Sequence, residues 1–213
     1  MFFDSVHNGH MTTHVDFWFD PICPFTWITS RWVEDVAQQR AYDITWHPFS
    51  LSVLNVGLDE GDDEQAHIAG HRMVRVAQAV KDAGHDVGNY YTAIGTLLHP
   101  GGGSHDVSTD ATSAVIAQAI ADAGLPAELA AAADDTSYDS AVTESTHEAL
   151  SGTGTGVGIP IIRVADSTFF GPVFTKRPQG DAALKFWDAY TTIVAEPNFF
   201  EIKRQIKGEL NFE

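Results

Sequence analysis

The sequence predicts an α/β fold in which a four-stranded mixed sheet is flanked by helices and interrupted by a central all-helical insertion. Three observations lead to this class. A β-α-β pattern opens the chain, a run of helical patterns fills its middle, and a β-β-α pattern closes it. Because a β-α-β unit pairs its strands in parallel and a hairpin pairs them antiparallel, the sheet must be mixed. We expect residues 11–58 and 155–213 to form the sheet domain, and residues 59–154 to form the insertion.

The first half of the sheet is predicted by alternating apolar residues followed by a helical pattern. Val15, Phe17 and Phe19 alternate with other residues, which is typical of a strand with one fully buried face. Pro24 fits the first turn of the next helix, where a missing backbone N–H costs nothing. The predicted elements are a strand over residues 13–20, a helix over 25–39 and a strand over 42–49.

The middle of the chain contains helical patterns separated by glycine and proline breaks, and strand patterns return after the glycine-rich residues 152–158. Two short apolar runs around Ala165-Asp166-Ser167 predict a hairpin. The predicted elements are helices over residues 63–83, 88–98, 109–123, 127–133 and 137–150, strands over 161–164 and 168–170, a helix over 180–194 and a short tail helix over 199–207.

The charge balance restricts the classes of partner. Of 213 residues, 29 are Asp or Glu and 12 are Lys or Arg, which gives a formal net charge of −17. Such a chain suits neither nucleic acid nor an anionic membrane surface, because both require a basic face. Residues 1–10 lack the basic and apolar regions of a signal peptide, so a cytoplasmic protein is expected. Gly9-His10-Met11 resembles the remnant of an expression vector, which would make Met11 the natural start.

Cys23 is the only cysteine of the chain. It therefore cannot form an intramolecular disulfide, and multi-cysteine zinc sites are excluded. Its place between the first strand and the first helix directs free backbone N–H groups and the positive end of the helix dipole at the sulfur. Both favour the thiolate and predict a lowered pKa, which suits a nucleophile. The alternative is a buried structural cysteine, because free cysteines are often buried.

No metal site is expected. His67 and His71 are four residues apart, a spacing that places both on one helix face. The Glu of a His-Glu-x-x-His motif is absent and no third ligand is evident, so we expect surface histidines or histidines that pack the insertion. No Ser-His-Asp arrangement is evident from the sequence.

The residues around Cys23 resemble the active-site segment of DsbA-like thioredoxin-fold proteins. That family carries Cys-Pro-x-Cys after a strand that ends in Asp-Pro, and it has a cis-proline that closes over the sulfur. Pro160, in Val157-Gly158-Ile159-Pro160, matches the cis-proline. Further segments are similar to the actinobacterial mycothiol-dependent (nitro)reductase branch. These segments are Phe17-Trp18-Phe19-Asp20-Pro21, Trp27-Ile28-Thr29-Ser30-Arg31-Trp32, Ala123-Gly124-Leu125-Pro126-Ala127-Glu128-Leu129-Ala130, Phe169-Phe170-Gly171-Pro172-Val173 and Phe199-Phe200-Glu201-Ile202-Lys203-Arg204.

Thr26 departs from this pattern, because the family has its second, resolving cysteine at that position. A dithiol enzyme releases its mixed disulfide by internal exchange, which this chain cannot do. Thr26 is either the natural residue of a monothiol enzyme or an engineered replacement that traps a state. Its hydroxyl either donates a hydrogen bond to the Cys23 thiolate or satisfies local backbone groups.

The resemblance implies a thiol–disulfide oxidoreductase that takes electrons from a low-molecular-weight thiol. Mycothiol is the expected cosubstrate, and no tightly bound cofactor is expected. The substrate would be a disulfide, a protein disulfide included, or an electrophile such as a nitro compound. The alternatives are a thiol-binding enzyme similar to kappa-class glutathione transferases or isomerases, and a redox-dead binding module. A monomer or a homodimer is expected.

The resemblance also assigns the residues of the site. Cys23, Thr26 and Pro160 are the expected catalytic residues. The aromatic side chains beside Cys23 either line an apolar acceptor pocket or belong to the core. Asn55 either contacts the thiol or caps a turn. The expected substrate-binding residues are Pro24, Phe25, Trp27, Asn55 and Ile159.

Overall fold

The computed structural model describes residues 14–58, 61–99, 107–154 and 156–212. Residues 1–13, and with them Met11 and the start of the first predicted strand, lie outside this range. The sheet has the strand order β2-β1-β3-β4, with β1 parallel to β2 and antiparallel to β3, and with β3 and β4 paired as a hairpin. The predicted class, a mixed thioredoxin-like sheet flanked by helices, is confirmed. The strands are β1 (His14–Phe19), β2 (Asp43–Pro48), β3 (Ile161–Val164) and β4 (Ser167–Phe170).

Seven α-helices and two 3-10 segments are found among the described residues. None of the described helices is both long enough and apolar enough to cross a membrane. The helices are α1 (Pro24–Arg40), α2 (Leu51–Leu54), α3 (Asp62–Asp82), α4 (Val87–Leu98), α5 (Thr109–Asp122), α6 (Asp139–Thr153) and α7 (Asp181–Val194), and the 3-10 segments are Ala127–Asp134 and Thr136–Tyr138.

The helices differ from the predictions in three places. The helix predicted over residues 127–133 is a 3-10 segment, Ala127–Asp134. The tail helix predicted over residues 199–207 is wrong, because these residues have no regular secondary structure. A short helix needs an apolar face packed on the protein, and Phe200, Ile202 and Ile206 are all exposed. The sequence also did not reveal α2, whose four residues are too few to show a helical period.

The sheet and the insertion share one hydrophobic core. Phe17 and Phe19, on one face of β1, are fully buried in the same cluster as side chains from α3, α4 and α5. The ring of Phe19 stacks on that of Tyr91 in α4, with 4.0 Å between the ring centroids. The described residues of the sheet part and of the helical middle part are therefore packed together on a continuous apolar interior.

The N-terminal turns of α1 pack tightly against α4. A Cβ on Gly95 would lie 2.2 Å from Cζ3 of Trp27, far inside van der Waals contact. The absence of a side chain at Gly95 lets the indole of Trp27 lie directly on the α4 backbone. Glycine at this position therefore allows the close approach of the insertion to the helix that begins at Cys23.

Gly95→Ala should lower the free energy of unfolding by about 1–3 kcal/mol, the cost of overpacking a core. This loss is expected although alanine is favoured over glycine in a helix by about 1 kcal/mol. Gly158→Ala is the matched control, because a Cβ there would meet no atom within 4 Å. Urea unfolding followed by tryptophan fluorescence measures both variants. An unchanged stability of Gly95→Ala would contradict the packing of Trp27 on α4.

Candidate active site

Cys23 occupies the N-cap of α1, as the sequence predicts. β1 ends at Phe19, and the loop turns so that the Cys23 N–H donates to the carbonyl of Asp20 at 3.1 Å. Cys23 has extended backbone angles, φ −80° and ψ 111°, and Pro24 opens the helix. The thiol therefore lies over the free N–H groups of the first helical turn.

The thiol of Cys23 is buried, and its residue is only 8% exposed. Burial raises the pKa of Cys23, since a thiolate loses its hydration, and the nearby negative charge of Asp20 raises it further. The nearby Thr26 hydroxyl and the backbone N–H groups of Thr26 and Phe25 lower the pKa of Cys23, because donors stabilise the thiolate. The prediction of a lowered pKa is therefore wrong for this closed arrangement. The helix-start donors lower the pKa as expected, but the burial that the sequence did not reveal outweighs them.

Thr26 is fully buried within one turn of Cys23. Its hydroxyl oxygen has no hydrogen-bond partner of ordinary geometry. It does not satisfy the local backbone, which was one of the two predicted roles. A buried hydroxyl of this kind is available to donate a hydrogen bond when Cys23 ionises. It lowers the pKa of Cys23, as a donor to the thiolate should.

The segment Ile159-Pro160, from the other half of the chain, reaches the sulfur of Cys23 through the carbonyl of Ile159. The Ile159–Pro160 peptide bond is cis, as the sequence predicts. The Cys23 Sγ lies 4.0 Å from the carbonyl oxygen of Ile159, the residue that precedes the cis bond. The two hallmark segments, more than a hundred residues apart in the chain, therefore meet at the thiol.

The side chains around the thiol are apolar, so an apolar acceptor group can be accommodated beside it. Of the residues predicted to bind substrate, Ile159 belongs to this cluster and Phe25 packs against it, while Pro24 is half-buried. The cluster consists of Trp18, Cys23, Phe49, Ala149, Ile159 and Ile161, with Phe25, Leu51, Leu54 and Leu150 packed against it.

Trp27 is not brought into this cluster. Its ring is buried in the main core, edge-on to Tyr91 and stacked on His99, with the Arg31 guanidinium 4.1 Å above it. Of the two predicted roles for the aromatic residues beside Cys23, the core role therefore describes Trp27. Phe25 is the aromatic residue that remains beside the thiol.

Asp20 joins the loop before Cys23 to the start of α2. Its carboxylate is fully buried and accepts the N–H of Ile22 at 3.1 Å and the N–H of Leu51 at 2.9 Å. Burial raises the pKa of Asp20 to about 6, although both N–H donors and the charge of His67 lower it. Sequence reasoning did not single out Asp20, whose only signal was its place before Pro21 in the family segment.

The insertion contributes to the site through α3. A Cβ on Gly70 would lie 2.6 Å from Oδ1 of Asp20, so α3 packs its backbone directly against the carboxylate. Nδ2 of Asn55, at the end of α2, lies 3.4 Å from Nδ1 of His67. Asn55 is thus held at the contact between α2 and α3, close to the thiol cluster that α2 covers.

A Ser-His-Asp arrangement that the sequence did not reveal links α2, α3 and α6. The Ser50 hydroxyl accepts the N–H of Val53 at 3.2 Å and lies 2.8 Å from Nδ1 of His71. Nε2 of His71 lies 3.0 Å from Oδ1 of Asp139. Ser50 is fully buried and caps α2, so this line of hydrogen bonds holds the helix in place and does not form a nucleophile.

A charged network lies on the sheet behind the thiol cluster. Asp16 bonds to His47 at 2.7 Å and to Arg163 at 2.9 Å, and these bonds hold its pKa below the usual range although burial opposes them. The Trp18 ring stacks on His47 and lies under the Arg163 guanidinium. This network fixes the sheet side of the cluster. Within the described ranges, no group of three or more His, Cys, Asp or Glu side chains is placed to hold a metal ion.

Comparison with solved structures gives the fold. A 2-hydroxychromene-2-carboxylate isomerase superposes with a TM-score of 0.57 at 14% identity, over 87% of this chain and 97% of that chain. A probable DsbA oxidoreductase from Streptomyces coelicolor superposes with a TM-score of 0.54 at 16% identity, over 90% of this chain and 94% of that chain. Oxidised DsbA of Mycobacterium tuberculosis superposes with a TM-score of 0.51 at 14% identity, over 90% of this chain and 89% of that chain. The chain therefore has the thioredoxin-like fold of DsbA proteins.

Comparison of sequences gives the family. An uncharacterised protein of Mycobacterium tuberculosis, Rv2286c, is 33% identical over 199 residues, which cover 91% of this chain and 82% of that protein. A family model described as Rv2466c-like, mycothiol-dependent nitroreductase Rv2466c, matches residues 22–204. Because that match includes both Cys23 and the cis-proline Pro160, and spans most of the chain, the protein belongs to the Rv2466c-like family of mycothiol-dependent nitroreductases.

Proposed function

We propose that the protein is a monothiol oxidoreductase in which Cys23 exchanges disulfides with mycothiol. The observation that carries this proposal is that the single thiol, at the N-terminus of α1, shares one apolar cluster with Ile159, the residue before cis-Pro160. The family supports a low-molecular-weight thiol as the source of electrons. A cytoplasmic location belongs to the proposal, because a lone thiol and a thiol cosubstrate suit a reducing compartment.

The first step is attack of the Cys23 thiolate on a disulfide. The new Cys23–substrate S–S bond forms while the substrate disulfide breaks, and the leaving sulfur departs as a thiolate and takes up a proton. Because the pKa of Cys23 is raised in the closed arrangement, entry of the substrate must accompany ionisation. The Thr26 hydroxyl and the N–H groups of Phe25 and Thr26 stabilise the negative charge at that moment.

The second step requires a thiol from outside the protein. Thr26 has no sulfur, so a mycothiol thiolate attacks the mixed disulfide and releases Cys23 as thiolate. The substrate sulfur is then bonded to mycothiol. A second mycothiol thiolate attacks this disulfide, releases the substrate thiol and forms one mycothiol disulfide, so that two mycothiol molecules give two electrons and two protons to one substrate disulfide. The same pair of electrons suffices to reduce a nitro group to a nitroso group and water.

The proposed binding residues divide into an apolar and a polar side. Phe25 and Ile159, with Pro24 at the edge, contact the apolar group next to the reacting sulfur. Asn55 is half-buried beside α3 and offers an amide to the hydroxyl or amide groups of a sugar-bearing thiol. Catalysis depends on Cys23, with Pro160 and Thr26 as positioning residues around its sulfur.

A second candidate is a thiol-binding transferase or isomerase in which Cys23 is not the reacting group. The buried, unpartnered Thr26 hydroxyl and the raised pKa of Cys23 favour it, since a hydroxyl at a helix start can activate a bound thiol. Cys23→Ser separates the two. Retained turnover by Cys23→Ser supports the transferase or isomerase, whereas lost turnover supports the redox enzyme.

Incubation with oxidised mycothiol should give one mixed disulfide at Cys23, because no second cysteine can resolve it. Intact-protein and peptide mass spectrometry detect the adduct, and reduced mycothiol should remove it. Cys23→Ser is the control and should give no adduct. A wild-type protein that stays unmodified in mycothiol disulfide, yet is alkylated under the same conditions, would overturn the proposed first step.

Thr26→Cys should convert the enzyme into a dithiol that closes an internal disulfide. Residues three apart at a helix start are about 5 Å apart, within the range that a disulfide spans. Thr29→Cys is the matched control, because six residues of helix rise by about 9 Å, too far for bridging. Thiol titration after mild oxidation should show loss of both thiols in the first variant only. Equal behaviour of the two variants would contradict the assigned place of residue 26.

The alkylation rate of Cys23 should be low at neutral pH and rise with pH beyond 9, because burial raises its pKa and only the thiolate reacts. Thr26→Val removes a donor to the thiolate, so the pKa should rise further and the rate at pH 8 should fall about tenfold. Thr29→Val is the control, since the Thr29 hydroxyl donates instead to the carbonyl of Pro172 at 2.9 Å. If the alkylation rate of Thr26→Val depends on pH as that of the wild type does, a hydrogen bond from Thr26 to the Cys23 thiolate is excluded.

A further inference from the structure

One buried hydrogen-bond donor in the thiol cluster, the group of buried side chains around Cys23, has no role so far. Among the described residues, Nε1 of Trp18 and the hydroxyl oxygen of Thr26 are both enclosed without a hydrogen-bond partner. Leaving a buried donor without an acceptor costs stability, so such groups are rare in native proteins and call for an explanation. The chemistry proposed for Cys23 uses the hydroxyl of Thr26 and leaves the N–H of Trp18 unexplained.

Trp18 lies beside the reacting groups. It is fully buried in the same cluster as Cys23 and Ile159. In the sheet it pairs with Ile161, the residue directly after cis-Pro160. The indole is therefore next to the segment whose Ile159 carbonyl lies 4.0 Å from the sulfur of Cys23.

The indole ring of Trp18 is held from both neighbouring strands. The ring of His47 in β2 stacks on it with 4.6 Å between the ring centroids, and the guanidinium of Arg163 in β3 lies 4.9 Å from its centroid. Asp16 bonds to His47 at 2.7 Å and to Arg163 at 2.9 Å, and so keeps both groups against the ring. Because these contacts fix the ring, its N–H stays available, and the guanidinium charge polarises the indole and strengthens it as a donor.

The surroundings of this N–H select the kind of ligand. An indole N–H only donates, so it takes an atom that accepts a hydrogen bond. The other side chains of the cluster suit an apolar ligand body. An anionic oxygen is disfavoured, because its charge would lose its hydration close to the buried carboxylate of Asp20. The neutral oxygen of a nitro or carbonyl group on an apolar compound meets all three conditions.

We propose that the N–H of Trp18 binds a neutral nitro or carbonyl oxygen of the acceptor substrate, which makes Trp18 a specificity-determining residue. This inference rests on the proposed function, because it takes the thiol cluster to be the place where the acceptor enters. The contact orients the oxygen-bearing group beside the sulfur of Cys23. It also selects such acceptors over hydrocarbons of the same shape, since a site built around a hydrogen bond rejects an analogue that leaves its donor unpaired.

The indole N–H resonance of Trp18 measures the contact directly. Acetophenone and α-methylstyrene are the probes, because they differ only in an oxygen that replaces a methylene group. In proton–nitrogen correlation spectra of the full wild-type chain, acetophenone should shift the Trp18 N–H signal downfield, whereas α-methylstyrene and benzoate should not. The proposal is overturned by an equal shift with α-methylstyrene, by no shift with acetophenone, or by a ligand-free signal already at the position of a hydrogen-bonded indole.

A substitution tests the same contact through affinity. The wild type should bind acetophenone about threefold to tenfold more tightly than α-methylstyrene, the effect of one hydrogen bond, and Trp18→Phe should bind the two about equally. Calorimetric titration measures both dissociation constants. Trp187→Phe is the matched control, because Trp187 is also buried but belongs to the main core, and it should keep the wild-type preference. A preference that persists in Trp18→Phe would contradict the assignment.

Failure of this inference and failure of the proposed function give different results in the wild-type chain. A chain that forms the mixed disulfide with mycothiol but shows no shift specific to acetophenone loses the Trp18 contact alone. A chain that shows the shift but forms no mixed disulfide keeps the contact and loses the redox function.

Discussion

The buried carboxylate of Asp20 is the interaction on which the site depends. It accepts one N–H from the loop before Cys23 and one from the first residue of α2, so it joins two segments that are distant in the sequence. The backbone of α3 at Gly70 packs against the same carboxylate. A charged group with two backbone donors is held firmly even in an apolar surrounding, because each bond to the charged form offsets part of its desolvation. The Cys23 loop, α2 and the insertion are therefore held to one another at a single point.

Burial keeps Cys23 at rest as a thiol by raising its pKa, and the carboxylate of Asp20 adds a smaller effect of the same sign. Helix N-termini favour thiolates, but this thiol is enclosed by apolar side chains and lies close to Asp20. A buried thiolate beside a buried carboxylate would place two negative charges in a medium of low dielectric constant. Under the proposed function, this enclosure would protect the single cysteine until a substrate displaces part of it, which suits a thiol that has no resolving partner in its own chain.

The sequence was sufficient for the elements whose signals are local. The alternation in β1, the helical pattern of α1 and the two hallmark segments at Cys23 and Pro160 predicted the sheet and the meeting of its halves. Features that arise only from packing could not be predicted. Burial of the thiol depends on α2, which is too short to show a period, and on side chains from α6. The line from Ser50 to Asp139 joins residues far apart in the chain, and the tail was misassigned because apolar residues there face water.

Access to the thiol has to come from the element that is easiest to move. β3 is a strand of the sheet and α1 packs on it. Both contribute side chains to the main core, so displacing either would open the whole interior. α2 has four residues, all only partly buried, and it is attached through the Ser50 cap and the Asp20 carboxylate. Few buried contacts and a small number of hydrogen bonds characterise segments that open at low free energy. Movement of α2 would uncover Cys23 and shift Asn55 together. Under the proposed function, one short helix would therefore couple the chemistry of the thiol to the recognition of its partner.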